Sequence, residues 1–487
     1  MDLIPPFEAA ASMKPLINIG SLFDIPTGKY VFGKHGESIL NGGLGAITGV
    51  VGIGNNFKST ILHYMNLSAL ARILCQVPTS LGTYDAEINI QEPELRRFTE
   101  LFEEFEGIDL FAEGKWQITD AIKYSGNKWW DALKDWLVLK AKSVGKLTVE
   151  TPFLDRDGVS NFKMLVPTFG ELDSLSEWRT DDIEDMMTKN EIGDSGANTL
   201  HMRQGLGRMR LLMELPQVCG RANHYMSITA QVGKEIAMAS GPMPAPPPKK
   251  LQYLKNGDKI KGVSDKFFFL MSNCWQASNA APLINDNKGP EYPREGETNS
   301  VKINTDLNLV KLLQLRSKTG LSGIVLEILV SQSEGVLPSL TEFHYCKENG
   351  RFGLGGNVQN YNLELYPNVA LSRTTVRRKL DSDKRLARAM NITSEMLQMK
   401  HYWPTLDLSL FCTPKELRDD LTAIGYDVDK LLDTRGWWTV NNDTHPIPFL
   451  STMDLMRMRK GLYVPYWMSA EEKAKLKLPE QKPVETT

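Results

Sequence analysis

Leu44-Gly45-Ala46-Ile47-Thr48-Gly49-Val50-Val51-Gly52-Ile53-Gly54-Asn55-Asn56-Phe57-Lys58-Ser59-Thr60 runs from an apolar, glycine-punctuated stretch into a short polar loop and then into a helical pattern. Strand, loop and helix in that order make a phosphate cradle. The glycines let backbone N–H groups fold around a polyphosphate, a lysine places a point charge on the β and γ oxygens, and the hydroxyl after it ligates Mg²⁺. The expected nucleotide-binding residues are therefore Gly52, Gly54, Asn55, Asn56, Phe57, Lys58, Ser59 and Thr60. One position departs from the usual pattern, because Phe57 stands where a glycine normally precedes the lysine. So degenerate a pattern arises by chance about 0.2 times in a chain of this length and average composition. The surroundings of the loop have to decide.

With 487 residues the chain can bury a large core, and its length suggests two or three domains. A net charge of -3 excludes the global basic field of an indiscriminate nucleic-acid binder, so any such binding must come from local loops. Cys75, Cys219, Cys274, Cys346 and Cys412 are scattered with no C-x-x-C pair, which gives neither a disulfide framework nor a zinc site and fits a reducing cytoplasm. The apolar runs, such as Gly323 to Val330, are too short to span a bilayer, and no secretory signal pattern opens the chain.

Between residues 16 and 240, apolar strand-like runs alternate with longer helical patterns, as in a parallel sheet built from crossover units. Expected strands are Leu44 to Val51, Leu81 to Tyr84, Leu165 to Phe169 (weakened by Pro167), Tyr225 to Ala230, Phe267 to Cys274, Leu309 to Leu315 and Ile324 to Val330. Residues 91 to 142 read as helical, with Trp129, Trp130 and Trp136 as packed aromatics. Residues 233 to 262, rich in glycine, proline and lysine, form a long basic loop, and such loops inside a domain are usually functional or disordered.

Hydrolysis of a nucleoside triphosphate needs one carboxylate to hold the metal and another to orient the attacking water. Asp85-Ala86-Glu87 follows the strand after the loop helix, where side chains of a parallel α/β sheet converge on the ligand crevice, and Glu87 is the expected base. Asp173, in Leu172-Asp173-Ser174-Leu175, is the expected metal ligand alongside Ser59. An acidic residue after a strand is more often a helix cap or a solvated turn. The order of loop, Asp-Ala-Glu and Leu-Asp-Ser-Leu on successive strands is much harder to reach by accident.

Across residues 16 to 340 these segments resemble the RecA-type strand-exchange ATPases, and most closely their phage branch, the recombinases of T-even-like phages. Ile19-Gly20-Ser21-Leu22 is similar to the family's entry before the phosphate loop, and Phe57 is a substitution associated with the phage branch. Glu191-Ile192-Gly193-Asp194-Ser195 with Met202, Arg203 and Arg208 resembles the first DNA-binding loop and the helix after it. Thr229-Ala230-Gln231 resembles the strand whose polar end senses the γ-phosphate, and Gly262 with Phe267-Phe268-Phe269 the strand closing the second DNA loop. Leu315-Arg316-Ser317-Lys318-Thr319 resembles the basic pair that reaches the neighbouring subunit's nucleotide.

The resemblance implies an α/β fold: a RecA-like P-loop ATPase core with a parallel-type central sheet flanked by helices, over residues 16–335, and a smaller α+β C-terminal domain over 336–469. Residues 1–15 form a leader with a weak F-x-x-A oligomerisation pattern at Phe7-Glu8-Ala9-Ala10, and 470–487 a charged tail. It implies ATP and Mg²⁺ as cofactors, and single- and double-stranded DNA, mediator and single-strand-binding proteins and a helical filament or hexameric ring as partners. The setting would be cytoplasmic, in a bacterial host if the chain is phage-encoded. Lys58, Glu87, Gln231, Arg316 and Lys318 would act on the nucleotide, and Met202, Arg203, Arg208, Arg210, Lys249, Lys250 and Lys261 would meet DNA near loops 176–203 and 233–262.

A second basic cluster, Arg373, Arg377, Arg378, Lys379, Lys384, Arg385 and Arg388, reads either as an outer DNA-gathering face or as an ordinary charged helix face. The rival enzyme is a hexameric replicative DNA helicase, although fewer than about 20 residues precede the core where that class carries a helical domain. A nucleotide-gated regulatory protein without turnover is the reading from another class.

Overall fold

The computed structural model describes residues 11–189, 197–234, 252–255, 258–261, 263, 266–294, 305–357 and 359–479. Its centre is a ten-stranded sheet. In chain order the strands are β1 (Ile47–Gly52), β2 (Leu81–Asp85), β3 (Trp116–Asp120), β4 (Thr168–Asp173), β5 (His224–Lys234), β6 (Asp258–Ile260), β7 (Asn273–Pro282), β8 (Leu307–Ser317), β9 (Val325–Ser331) and β10 (Gly335–Val336). In space they lie β10-β9-β8-β7-β1-β5-β4-β2-β3, with β6 folded back on the end of β5. The strands from β3 to β7 in this order run parallel, and the β7 to β10 side continues antiparallel.

Every residue of β1 is buried, as a central strand covered on both faces requires. Gly52 is a steric necessity at its end, because a Cβ there would stand 2.6 Å from the Ala277 carbonyl of β7. The helices used below are α1 (Ser21–Thr27), α2 (Lys58–Leu74), α3 (Gly126–Lys142), α4 (Asp181–Lys189), α5 (Ala197–Ala222), α6 (Lys266–Leu270), α7 (Pro338–Glu348) and α8 (Lys384–Tyr402). Helix α2 buries Ile61, Leu62, Met65, Leu67, Leu70 and Ile73 against the sheet and so fixes the start of the helix over the ends of β1 and β4.

Three expectations about strands are corrected. The region 91–142 is not all helical, since Trp116–Asp120 forms the edge strand β3 beside β2. Its buried Trp116 stacks on Phe111, and this tertiary packing overrides the helical context. The strand expected across Pro167 divides there: Asn161–Leu165 belongs to a separate hairpin, and β4 begins at Thr168, because proline lacks the N–H a central ladder needs. Phe267 to Leu270 is a helical turn, with Phe267 and Phe268 buried and Phe269 exposed, and the strand proper begins at Asn273.

The sheet ends at Val336, and α7 opens the C-terminal block of helices with a small three-stranded sheet. This block shares one hydrophobic core with Ile25, Leu40, Leu307 and Leu329. It also grips the segment before β1: Ser21 donates to Glu342 at 2.5 Å, Trp403 Nε1 to the Ile25 carbonyl at 2.8 Å, and the Trp438 N–H to Asn18 at 3.1 Å. Among the described residues no helix is long and apolar enough to cross a membrane.

Candidate active site

In the parallel part of the sheet every carboxyl end reaches one edge. The register aligns Gly52 of β1 with Gln231 of β5 and with Ala277 of β7, and Asp85 of β2 with Asp173 of β4. Helix α2 leaves β1 and leads to β2, although β5 and β4 lie between those two strands. The crevice at such a reversal of strand order is where open α/β sheets bind ligands.

The loop from Ile53 to Phe57 turns out of β1 into α2, with Asn55 and Phe57 in the left-handed region at φ 58° and 56°. Phe57 thus occupies the backbone geometry that a glycine adopts without cost, at an expense of about 1–2 kcal/mol for a residue with a Cβ. Its ring packs against the core on one side of the loop. The Asn56 side-chain Oδ1 accepts from the Ala280 N–H at 3.2 Å and ties the loop to β7, while Ile53, Gly54 and Asn55 stay exposed. Lys58 folds over the loop and donates to the Ile53 carbonyl at 2.9 Å. Burial holds its ammonium below the ordinary lysine value, against the pull of Asp173 and Glu87.

Ser59 and Asp173 meet. The Asp173 carboxylate accepts from the Thr229 hydroxyl, and the Ser59 hydroxyl lies near enough to pull its pKa down. Burial raises its pKa, and those two hydroxyls and His63 oppose the shift. A serine hydroxyl and one carboxylate are hard oxygen donors that leave room for phosphate oxygens and waters, the set Mg²⁺ takes in phosphate sites. Among the described residues there is no group of three or more His, Cys, Asp or Glu able to hold a metal by itself.

Glu87 sits half-buried where β2 has turned, and Ser174, next to Asp173, donates to its Oε1 at 2.6 Å. Asp85, which sequence reasoning left without a task, builds this turn: its carboxylate accepts from the N–H groups of Glu87 at 3.0 Å, Ile88 at 2.8 Å and Ile90 at 2.7 Å. The signal was present, since an aspartate ending a strand commonly caps the loop that follows. Glu87 and Gln231 line a cleft of about 450 Å³ with Tyr84, Ile88, Glu177 and Arg179. Backbone contacts hold Gln231 at the foot of the β5–β6 hairpin, with its N–H on Ser176 Oγ at 2.9 Å and its carbonyl accepting from the Lys261 N–H at 2.8 Å.

Arg316 and Lys318 lie elsewhere. Arg316 is level with Cys274 and Gly49, about 10 Å back along the strands from Gly52 and two strands over, and Lys318 is farther still. The loop of the same chain is out of their reach. The Arg316 guanidinium stands 5.6 Å over the Phe269 ring with its Nε unpartnered, and Lys318 is exposed.

Of the residues expected to meet DNA, Met202, Arg203, Arg210 and Lys261 are exposed. Arg208 is not: it is 3 % exposed and donates to the carbonyls of Ser176 and Trp178, so it braces the segment after β4. Phe7–Ala10, Glu191–Ser195, Lys249, Lys250 and Gly262 lie outside the described residues. The second basic cluster is largely occupied within the protein. Arg373 bonds the carbonyls of Pro290 and Glu291, Arg377 pairs with Glu334, Arg385 clasps Asp433, Lys384 pairs with Glu103, and buried Arg388 bonds the Leu450 carbonyl.

Comparison of the sequence with protein-family models finds no match, and comparison with curated proteins finds no relative.

Proposed function

We propose that the protein is an ATP-dependent recombinase that assembles on single-stranded DNA with ATP and Mg²⁺ and pairs the bound strand with homologous duplex. The observation that carries this reading is the convergence of Lys58, Ser59, Glu87, Asp173 and Gln231 from four different strand ends on one edge of the sheet. Lys58 and the loop hold the polyphosphate, and Ser59 and Asp173 are the residues that would hold Mg²⁺. That ion, when bound, neutralises charge on the β and γ oxygens. Glu87, fixed by Ser174 and the Asp85 turn, takes a proton from the attacking water as its oxygen bonds the γ-phosphorus and the bond to the β-phosphate oxygen breaks, leaving ADP and phosphate.

Gln231 links this edge to DNA. Its side chain faces the cleft beside Glu87, and its strand runs directly into the β5–β6 hairpin that carries Lys261. Exposed Met202, Arg203 and Arg210 on α5 supply a second contact, which would neutralise phosphates without reading sequence. Arg316 and Lys318, remote from their own loop, suit a neighbour's site, so the active unit is an oligomer.

The test is an incubation with a single-stranded oligonucleotide, a homologous supercoiled duplex and a forked duplex. Homology-dependent joint molecules are expected. Unwinding of the fork without such joints would instead assign the protein to the helicases.

A further inference from the structure

We propose that His63 and Glu171 form a positioning rung that sets Ser59 against Asp173, and with it the geometry of the whole phosphate edge; this rests on the hydrolase reading above. Glu171 sits two residues before Asp173 on β4, so both side chains leave the same face of the strand. His63 sits four residues after Ser59 on α2, so both leave the same face of the helix. Four helical residues rise about 6.0 Å and two strand residues about 6.6 Å, so a helix lying along the strand can meet it twice in step. It does: the Ser59 hydroxyl lies beside Asp173, and one turn on His63 Nδ1 bonds Glu171 Oε2 at 2.9 Å.

The lower contact extends across the sheet. Thr83 of β2, directly opposite Glu171, donates to the same Oε2 at 2.6 Å and accepts from Trp116 Nε1 of β3 at 2.9 Å. Both members are shut away from solvent, His63 at 3 % and Glu171 at 0 % exposed, and Glu171 Oε1 has no partner. They sit amid the apolar underside of α2, among Leu62, Met65 and Phe98. As packing, this pair is poorly chosen, because well-packed apolar side chains of similar volume stabilise a protein as well as a buried ion pair or better. What the pair supplies is direction. It fixes the rotation of α2 about its axis and its height over β4. A slip at this rung displaces Ser59 and Lys58 relative to Asp173, and relative to Glu87, which hangs on Ser174 next door.

The test uses the full-length protein and three readouts: thermal midpoint, ATP turnover at saturating ATP across a Mg²⁺ titration, and amide exchange without nucleotide. The double substitution His63→Leu with Glu171→Leu is expected to keep or raise the midpoint. Turnover should fall ~10- to 100-fold, the scale of a displacement of about 1 Å at a reacting centre. The half-saturating Mg²⁺ concentration should rise, and exchange should quicken in the first turn of α2 while β1 and β4 keep their protection. Glu171→Gln, which keeps the contacts to His63 and Thr83, should retain turnover to within ~3-fold of wild type.

A double variant with wild-type turnover and Mg²⁺ requirement overturns the proposal. So does one that fails to fold, since the pair would then be a folding requirement, and so does Glu171→Gln falling as far as the double variant. Wild-type protein without ATP turnover overturns the hydrolase reading instead, and it is seen before any variant is made.

Discussion

The carboxyl edge of the parallel strands and the C-terminal block after α7 are both charged, and they use their charges in opposite ways. At the edge, Lys58, Glu87 and Gln231 are only partly covered, Glu87 and Gln231 line a cleft, and each is held by a hydroxyl or a backbone group rather than by an ion pair. In the block, Arg377, Arg385 and Arg388 are spent on Glu334, Asp433 and a buried carbonyl. A group that is positioned but not neutralised is available to a ligand; one whose charge is already taken up by a carboxylate or a buried carbonyl is part of the fold. Substitutions at the edge should therefore cost function at constant stability, and substitutions in the block should cost stability at constant function.

The largest expected effect is at Glu87. Glu87→Gln should lower ATP turnover ~10²- to 10⁴-fold, the span of a lost general base, while Mg-ATP still raises the thermal midpoint. Lys58→Ala should lower turnover ~10²- to 10³-fold and weaken nucleotide binding as well, with stability unchanged to within about 0.5 kcal/mol. In the block, Arg388→Met should cost about 3–5 kcal/mol in denaturant unfolding, because Glu395, already pushed up by burial, loses its compensating charge. Affinity for single-stranded DNA, measured on the folded fraction, should not change. A loss of DNA affinity at Arg388 without loss of stability would break the contrast.

The smaller effects sharpen it. Arg203→Ala or Arg210→Ala should leave stability alone, weaken single-stranded DNA binding and reduce the salt slope by about 1. Lys140 of α3 gives the pH signature of a buried cation. It donates to Thr168 at 2.7 Å, and burial brings its pKa down from 10.5 to about 7. The unfolded chain holds that proton up to higher pH, so the penalty is complete below pH 7 and is relieved as pH rises from 7 toward 10.5. Lys140→Met should therefore stabilise most below pH 7, with the gain shrinking at alkaline pH, as unfolding at several pH values will register.

The site was far more legible in the sequence than the basic surfaces. Parallel topology delivers every strand's carboxyl end to one edge, so Lys58, Glu87 and Asp173 could be placed together from their order, while Gln231 came from the family resemblance. Charge carries no such address. Arg208 reads as a DNA contact, yet its guanidinium turns inward to the carbonyls after β4. Trp116–Asp120 was unreadable for a different reason: five residues between helical patterns become a strand only because β2 lies beside them. Glu171, a carboxylate inside a buried strand, has its reason in His63, more than a hundred residues away in the chain.

The most direct test of the account is phosphate release from ATP with and without single-stranded DNA, in wild type and in Glu87→Gln. DNA is expected to stimulate turnover in the wild type, and turnover should nearly vanish in the variant with nucleotide binding intact. Turnover that DNA does not change, or that survives Glu87→Gln, would contradict the account.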